Sequence, residues 1–437
     1  MCFDNCARGM RFRRLSIKFV NTSHVCHIRA MASQSSDLDR PHDLSYLVAF
    51  AIRNCNCIMR YHVGTALLGV LELFAATEAR SIPPPTGKYA VGVRKEVIEY
   101  YNDHDPLAPN NISTSFLATI FYPTSKRHAT HNEQPYLDPR TAAGWERVWG
   151  VPAGTITSLT SNLVPNAPFL KPKKCHPLHP TILFGPGAGG PATSANAVLL
   201  SDLASHGYTV IGLDHPYEHE WLLYPNGSYI PGLPMDYSWG LPDTLDELLA
   251  LYALRLEDAE VFLEYLPDLK KKLDAPINTT HVGTLGHSIG GAAAIGQLYV
   301  NDIVKSGINM DGSMYDRPVT DTPEANTHKP SMVLVSEPNW LDEFMAYAHW
   351  QTEYFRGVRI KGSNHGHFTD GAFWWAVEGN LEQSWIDGER MVSLLRRTVR
   401  EFFDYTLLGG EPPTFLESPN EEYPEMEFFD EDGVTEE

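Results

Sequence analysis

The chain has 437 residues, 43% of them hydrophobic and 20% charged, so it can fill a packed core and is not a globally disordered polymer. A formal net charge of −20 at pH 7 excludes a nucleic-acid partner, because neutralising a phosphate backbone takes an excess of Lys and Arg. No stretch reaches the roughly 18 consecutive apolar residues of a transmembrane helix.

Charge and cysteine are unevenly spread. Residues 1–58 hold eight Lys/Arg against four Asp/Glu, and five of the six cysteines (Cys2, Cys6, Cys26, Cys55 and Cys57). Only Cys175 lies beyond them, which rules out a disulfide framework within the body of one chain. Met59 then opens "MRYHVGTALLGVLELFAATEARS". Arg60 gives a positive start, Val63 to Ala76 a mostly apolar stretch broken by Glu72, and Thr77-Glu78-Ala79 a small-residue cleavage site. That is the anatomy of a secretory signal peptide over 59–79. A signal peptide works from an N-terminus, so translation is expected to start at Met59, with 1–58 a spurious or disordered extension. Sequons at Asn111, Asn226 and Asn278 fit a secreted glycoprotein.

Residues 88–125 read as mostly β, an antiparallel lead-in, and 126–180 as Pro-rich and polar with little periodicity. From Thr181 the pattern turns regular. "TILF" and "YTVIGLD" are strands. Between them lie the Gly-rich "GPGAGG" and a helix from "TSANAVLLSDLASHG", with Thr193 or Ser194 available as cap and Gly207 as stop. This is a βαβ unit, so the expected fold is α/β, with a mostly parallel central sheet and helices on both faces. Residues 216–242 form an aromatic-rich excursion, including Tyr217, Trp221, Tyr224, Tyr229, Tyr237 and Trp239. They suit packing, or the binding of an apolar chain. "DTLDELLALYALRLEDAEVFLEYL" is an amphipathic helix. "THVGTLG", "GINMD", "SMVLVSE" and "GVRIKG" are further strands, with a last long helix near 386–407. The catalytic domain is expected to run over 80–416. Beyond it, 417–437 carries ten acids and no Lys or Arg, which reads as a solvated, mobile tail.

Gly286-His287-Ser288-Ile289-Gly290 fits G-x-S-x-G between a strand and a helix. A serine on so tight a turn takes a strained backbone, and side chains two residues either side would collide with the strand and helix, so both flanks must be small. The helix that follows aims the positive end of its dipole at the serine. A lone serine is a weak nucleophile; it needs a base, and the base an orienter. On a parallel sheet these sit at the ends of later strands. Asp311 and Glu337 are rival acids there, and His365 and His367 rival bases. The oxyanion hole needs two backbone N–H groups, assigned to Ile289 and, in the Gly-rich loop, to Ala188. His287, beneath the elbow, reads as structural.

These stretches together, "GKYAVG", "DLASHGYTVIGLDH", "GHSIGGAAA", "GINMDGSMY", "VLVSE" and "GSNHGHFTD", resemble the plasma-type platelet-activating-factor acetylhydrolases, which are secreted α/β-hydrolases. The likeness spans residues 83–405. It implies Ser288 as nucleophile, Asp311 rather than Glu337 as acid, His365 rather than His367 as base, and Ala188 and Ile289 as oxyanion donors. It implies hydrolysis of short or oxidised acyl esters of phospholipids, with transient contact to a lipid surface and no cofactor or metal. One departure bears on substrate preference. The family's Ser-His-Gly-x-Gly oxyanion loop is here Gly185-Pro186-Gly187-Ala188-Gly189.

Other readings compete. The same triad serves general carboxylesterases and lipases, and a ligand-binding member without catalysis is a further possibility. His215-Pro216-Tyr217-Glu218-His219 matches the zinc pattern H-x-x-E-H. That chemistry needs both histidines on one helical face, whereas Pro216 confines any helix to start at or after it.

Overall fold

The structure is a computed structural model that describes residues 16–22, 25–31, 80–125, 134–171, 180–219, 222–232, 245–337, 341–378, 385–430 and 432–434. The chain divides into two units, Met1–Ala76 and Thr77–Glu437. In the first, strands Ser16–Thr22 and Val25–Met31 pair antiparallel within the segment expected to be an extension. The expected signal peptide at 59–79 lies outside the described residues.

The second unit is built on a sheet that has eleven strands among the described residues. In chain order they are β1 (Ala90–Asn102), β2 (Ser113–Thr124), β3 (Val164–Pro165), β4 (Thr181–Gly185), β5 (Thr209–Asp214), β6 (Val282–His287), β7 (Val304–Met310), β8 (Ser331–Ser336), β9 (Phe355–Ile360), β10 (Met426–Asp430) and β11 (Gly433–Val434). They lie in the order β11-β10-β9-β8-β7-β6-β4-β5-β2-β1-β3. The run from β9 to β5 is parallel; β1 and β2 join antiparallel on one flank, as the sequence predicts, and β10 and β11 on the other.

Strand alternation sorts the core into two layers. Ile182, Phe184, Val210, Met332 and Leu334 face helices α2 (Ala197–His206) and α7 (Gly388–Leu408). Their neighbours Leu183, Ile211, Leu213, Val333 and Val335 face α3 (Leu245–Leu273), α4 (Ile289–Val300) and α5 (Asp342–Trp350). Central strands buried on both faces are therefore continuous apolar runs.

Three expectations are corrected. The acidic tail is not a mobile end: β10 pairs with β9, and Met426, Phe428 and Phe429 are buried. Its acids find partners on other elements, Glu427 on Arg359 and Lys361 and Glu425 on Arg390. The Pro-rich stretch contains a helix, α1 (Pro139–Val148), whose Asp138 cap accepts from the backbone N–H of Arg140 and Thr141. The helix after the Gly-rich loop is not capped by Thr193 or Ser194. Asp214 accepts the Thr193 N–H at 2.7 Å instead, and Asp370 that of Val198 at 3.1 Å.

Candidate active site

Ser288 stands between β6 and α4 with φ 56° and ψ −129°, a conformation that costs about 1–3 kcal/mol and needs its surroundings to hold it. Its N–H donates to Met310 O at 2.9 Å, and its carbonyl accepts from Gly291 and Ala292. The flanking glycines are required sterically. A β-carbon at Gly286 would lie 2.1 Å from Gly290 O, and one at Gly290 2.1 Å from Gly185 O. The elbow thus fits only where β6, α4 and the end of β4 are all stripped to backbone.

Sheet order decides what surrounds the serine. β6 lies between β4 and β7, so the loop after β4 falls on one side of Ser288 and the residue after β7 on the other. That residue is Asp311, and its side chain is almost wholly buried. Its Oδ2 lies 2.7 Å from His365 Nδ1, while Ser336, ending β8, donates its N–H to Oδ1 at 2.7 Å and its hydroxyl to Oδ2 at 3.0 Å. A carboxylate so held can fix an imidazole tautomer with Nδ1 protonated and leave Nε2 as the base. His365 is 40% exposed at its side chain, open to a substrate.

The His365 ring lies with its centroid 4.4 Å from that of His287, the residue before the serine. His287 Nε2–H donates to His365 O at 3.0 Å, so the strand that carries Ser288 also holds the backbone of the candidate base. Burial, with His365 adding to it, presses the His287 pKa down to about 3, which keeps the ring neutral. On the other side, a β-carbon at Gly187 would lie 3.2 Å from Ser288 Cβ. The Gly-rich loop therefore passes against the serine. Ala188 packs in one apolar cluster with Ile289, Leu251, Leu248 and Leu107.

The rival residues are engaged elsewhere. Glu337 accepts the Gly362 N–H at 2.6 Å. His367 is buried and accepts the Asn364 N–H at its Nδ1, closing a capping box around the 365–368 turn. Burial lowers its pKa to about 4. In the H-x-x-E-H segment, His215 Nδ1 meets Asp258 at 2.5 Å, Glu218 pairs with Arg255, and His219 Nδ1 meets Gly190 O at 3.1 Å. Two of the excursion's aromatics are packing groups: Tyr224 is buried, and Tyr229 bonds Asp138 beneath Arg140. Trp221, Tyr237 and Trp239 lie outside the described residues.

Sequence reasoning missed several supports. Trp149, just after α1, packs on Trp374 and Trp375 of α6 (Gly371–Glu378), and a β-carbon at Gly366 would lie 3.0 Å from it. The stretch read as featureless thus backs the turn that carries His365. The signal for the helix before it was present as Asp138-Pro139, an N-cap followed by proline at the first helical position.

The model of the family "Platelet-activating factor acetylhydrolase, isoform II" matches residues 259–381, a span that contains Ser288, Asp311 and His365. A protein of Arthroderma benhamiae named "Probable 1-alkyl-2-acetylglycerophosphocholine esterase" is 23% identical over 390 residues, covering 80% of this chain and 94% of its own. Among solved structures, a ferulic acid esterase from Streptomyces cinnamoneus superposes with a TM-score of 0.65 at 22% identity, covering 80% of this chain and 99% of its own. That likeness bears on the fold, which is the α/β-hydrolase fold. On the sheet, the elbow and these matches, the chain is a carboxylic ester hydrolase that is similar to the platelet-activating factor acetylhydrolase family.

Proposed function

We propose that the protein hydrolyses the short acyl ester of platelet-activating-factor-like or oxidised phospholipids, with Ser288 as nucleophile, His365 as base and Asp311 as its orienter. The observation that carries the reading is the 2.7 Å contact from Asp311 to His365 beside the strained serine elbow. His365 takes the Ser288 proton as the hydroxyl oxygen attacks the ester carbonyl. The developing oxyanion is received by the N–H groups of Ile289 and Ala188, each worth about 2.7–4 kcal/mol of transition-state stabilisation in such sites. His365 returns the proton to the departing lysophospholipid alcohol, and water, deprotonated by the same histidine, releases the acyl group. The name of the Arthroderma benhamiae relative supports the substrate class. Exposed Leu245 and Leu249 at the start of α3 support transient contact with a lipid surface.

The same reading includes export, with translation from Met59 and cleavage after Ala79. Asn111 and Asn226 are exposed and Asn278 is partly exposed, which supports it.

A fluorophosphonate probe tests the chemistry. Labelling at Ser288 in the wild type, and neither labelling nor turnover above background in a folded Ser288→Ala variant, is the expected result. Unchanged turnover in Ser288→Ala overturns it. A panel of short-chain phospholipids, long-chain lipids and soluble esters tests the substrate; preference for soluble esters would move the assignment to a general carboxylesterase.

A further inference from the structure

The loop from Gly185 to Pro191, Gly-Pro-Gly-Ala-Gly-Gly-Pro, contains no side chain able to make a hydrogen bond. Its shape must be imposed from outside. Its far arm is held from the end of β5 and the turn that follows. Asp214 accepts the Thr193 N–H at 2.7 Å, and Thr119 donates to the other oxygen of the same carboxylate. Asn196 donates to Pro191 O and Ala192 O, both at 3.1 Å. Nearest to Ala188, the Gly190 carbonyl meets His219 Nδ1 at 3.1 Å. A carbonyl only accepts, so Nδ1 carries the proton.

His219 is itself held on both sides. Its backbone is so close to Gly232 that a β-carbon there would lie 2.7 Å from the His219 carbonyl. One residue earlier, Glu218 bonds the Arg255 guanidinium through both carboxylate oxygens, and His215 is tied to Asp258 on the same helix. All five of these side chains, His219 included, are at least 95% buried. The segment whose sequence suggested zinc therefore spends two of its three ligand-type residues on α3, leaving the third on the loop.

We propose that His219 is a positioning residue of the oxyanion hole, its Nδ1–H fixing the Gly190 peptide and through it the direction of the Ala188 N–H. This rests on the serine-hydrolase reading above. Displacing one oxyanion donor slows acyl transfer at a site otherwise able to bind its ester, because the donor acts on charge that appears only in the transition state.

The test uses the full chain and p-nitrophenyl acetate. His219→Asn places an amide N–H where Nδ1 stands, His219→Gln reaches past that position, and His219→Phe offers no donor. The expected result is kcat within about threefold of wild type for Asn, but about 10- to 100-fold lower for Gln and Phe, with KM within about twofold. The rate of fluorophosphonate labelling at Ser288 should fall in step. Where Phe fails to fold, the contrast of Asn with Gln decides. Wild-type kcat in His219→Gln overturns the role, as does a loss shared equally by Asn and Gln. Absence of Ser288 labelling in the wild type would overturn the hydrolase reading beneath it, and so is told apart from failure of His219 alone.

Discussion

His287 shows how much one buried ring can couple site and stability. The unfolded chain protonates this residue near 6.5, the fold only near 3. Between those values the unfolded state holds a proton that the folded state lacks, so stability falls as pH falls, by about 1.4 kcal/mol per pH unit. His367, lowered to about 4, acts with the same sign. Asp258, raised by burial to about 7, and Asp370, raised by burial to about 6, act oppositely, since the fold keeps protons that the unfolded carboxyls release. The net acid profile of the wild type therefore blends opposing slopes, and a difference measurement is needed. His287→Gln keeps a donor for His365 O and removes the titration. In urea melts its stability relative to wild type should rise by about 1.4 kcal/mol for each unit that pH is lowered from 6 to 4; a difference independent of pH would mean that His287 ionises freely in the fold. At this scale Ser288 was legible, because the sterics of G-x-S-x-G are local. The choice between Asp311 and Glu337 was not legible from strand ends alone, since both end strands. It is a matter of which strand lies beside β6.

Among the elements, β10 was the one most obscured in the sequence. Ten acids from Glu417 onward dominate its composition, while Met426 and Phe428 enter one layer of the core and Phe429, on the face of Glu427, enters the other. The acids' partners, Arg356, Arg359, Arg390 and Arg397, stand on β9 and α7 and have no local trace near the tail. Solvent-accessible ion pairs of this kind each add little, so the strand is held mainly by its apolar side chains. Phe428→Ala should lower the unfolding free energy by about 3 kcal/mol, read from a urea melt. A loss below about 0.5 kcal/mol would show that β10 contributes nothing to the core. Helix α1 was missed for a different reason: its ten residues lie within the Pro-rich, polar stretch 126–180, whose composition outweighed its cap signal.

For the whole molecule, the second unit makes its first long-range contacts among the described residues at Arg80. Its guanidinium bonds Glu389 at 3.1 Å, its carbonyl accepts from Thr160, and Ile82 is buried. Cleavage after Ala79 would leave all of these intact. N-terminal sequencing of protein recovered from the culture medium should therefore begin at Arg80. A mature start upstream of Met59, or retention in the cell, would overturn export from Met59.

The amino-acid sequence by itself determined the strands and helices of the βαβ region, the elbow and its serine, and the lead-in β-hairpin, because each follows from apolar period, turn chemistry or contact between near neighbours. Only the tertiary structure decided which acid reaches His365, that the acidic end closes one flank of the sheet, and that the H-x-x-E-H segment holds a loop. Those outcomes depend on strand order, which brings together side chains dozens or more residues apart and has no signature in any short window.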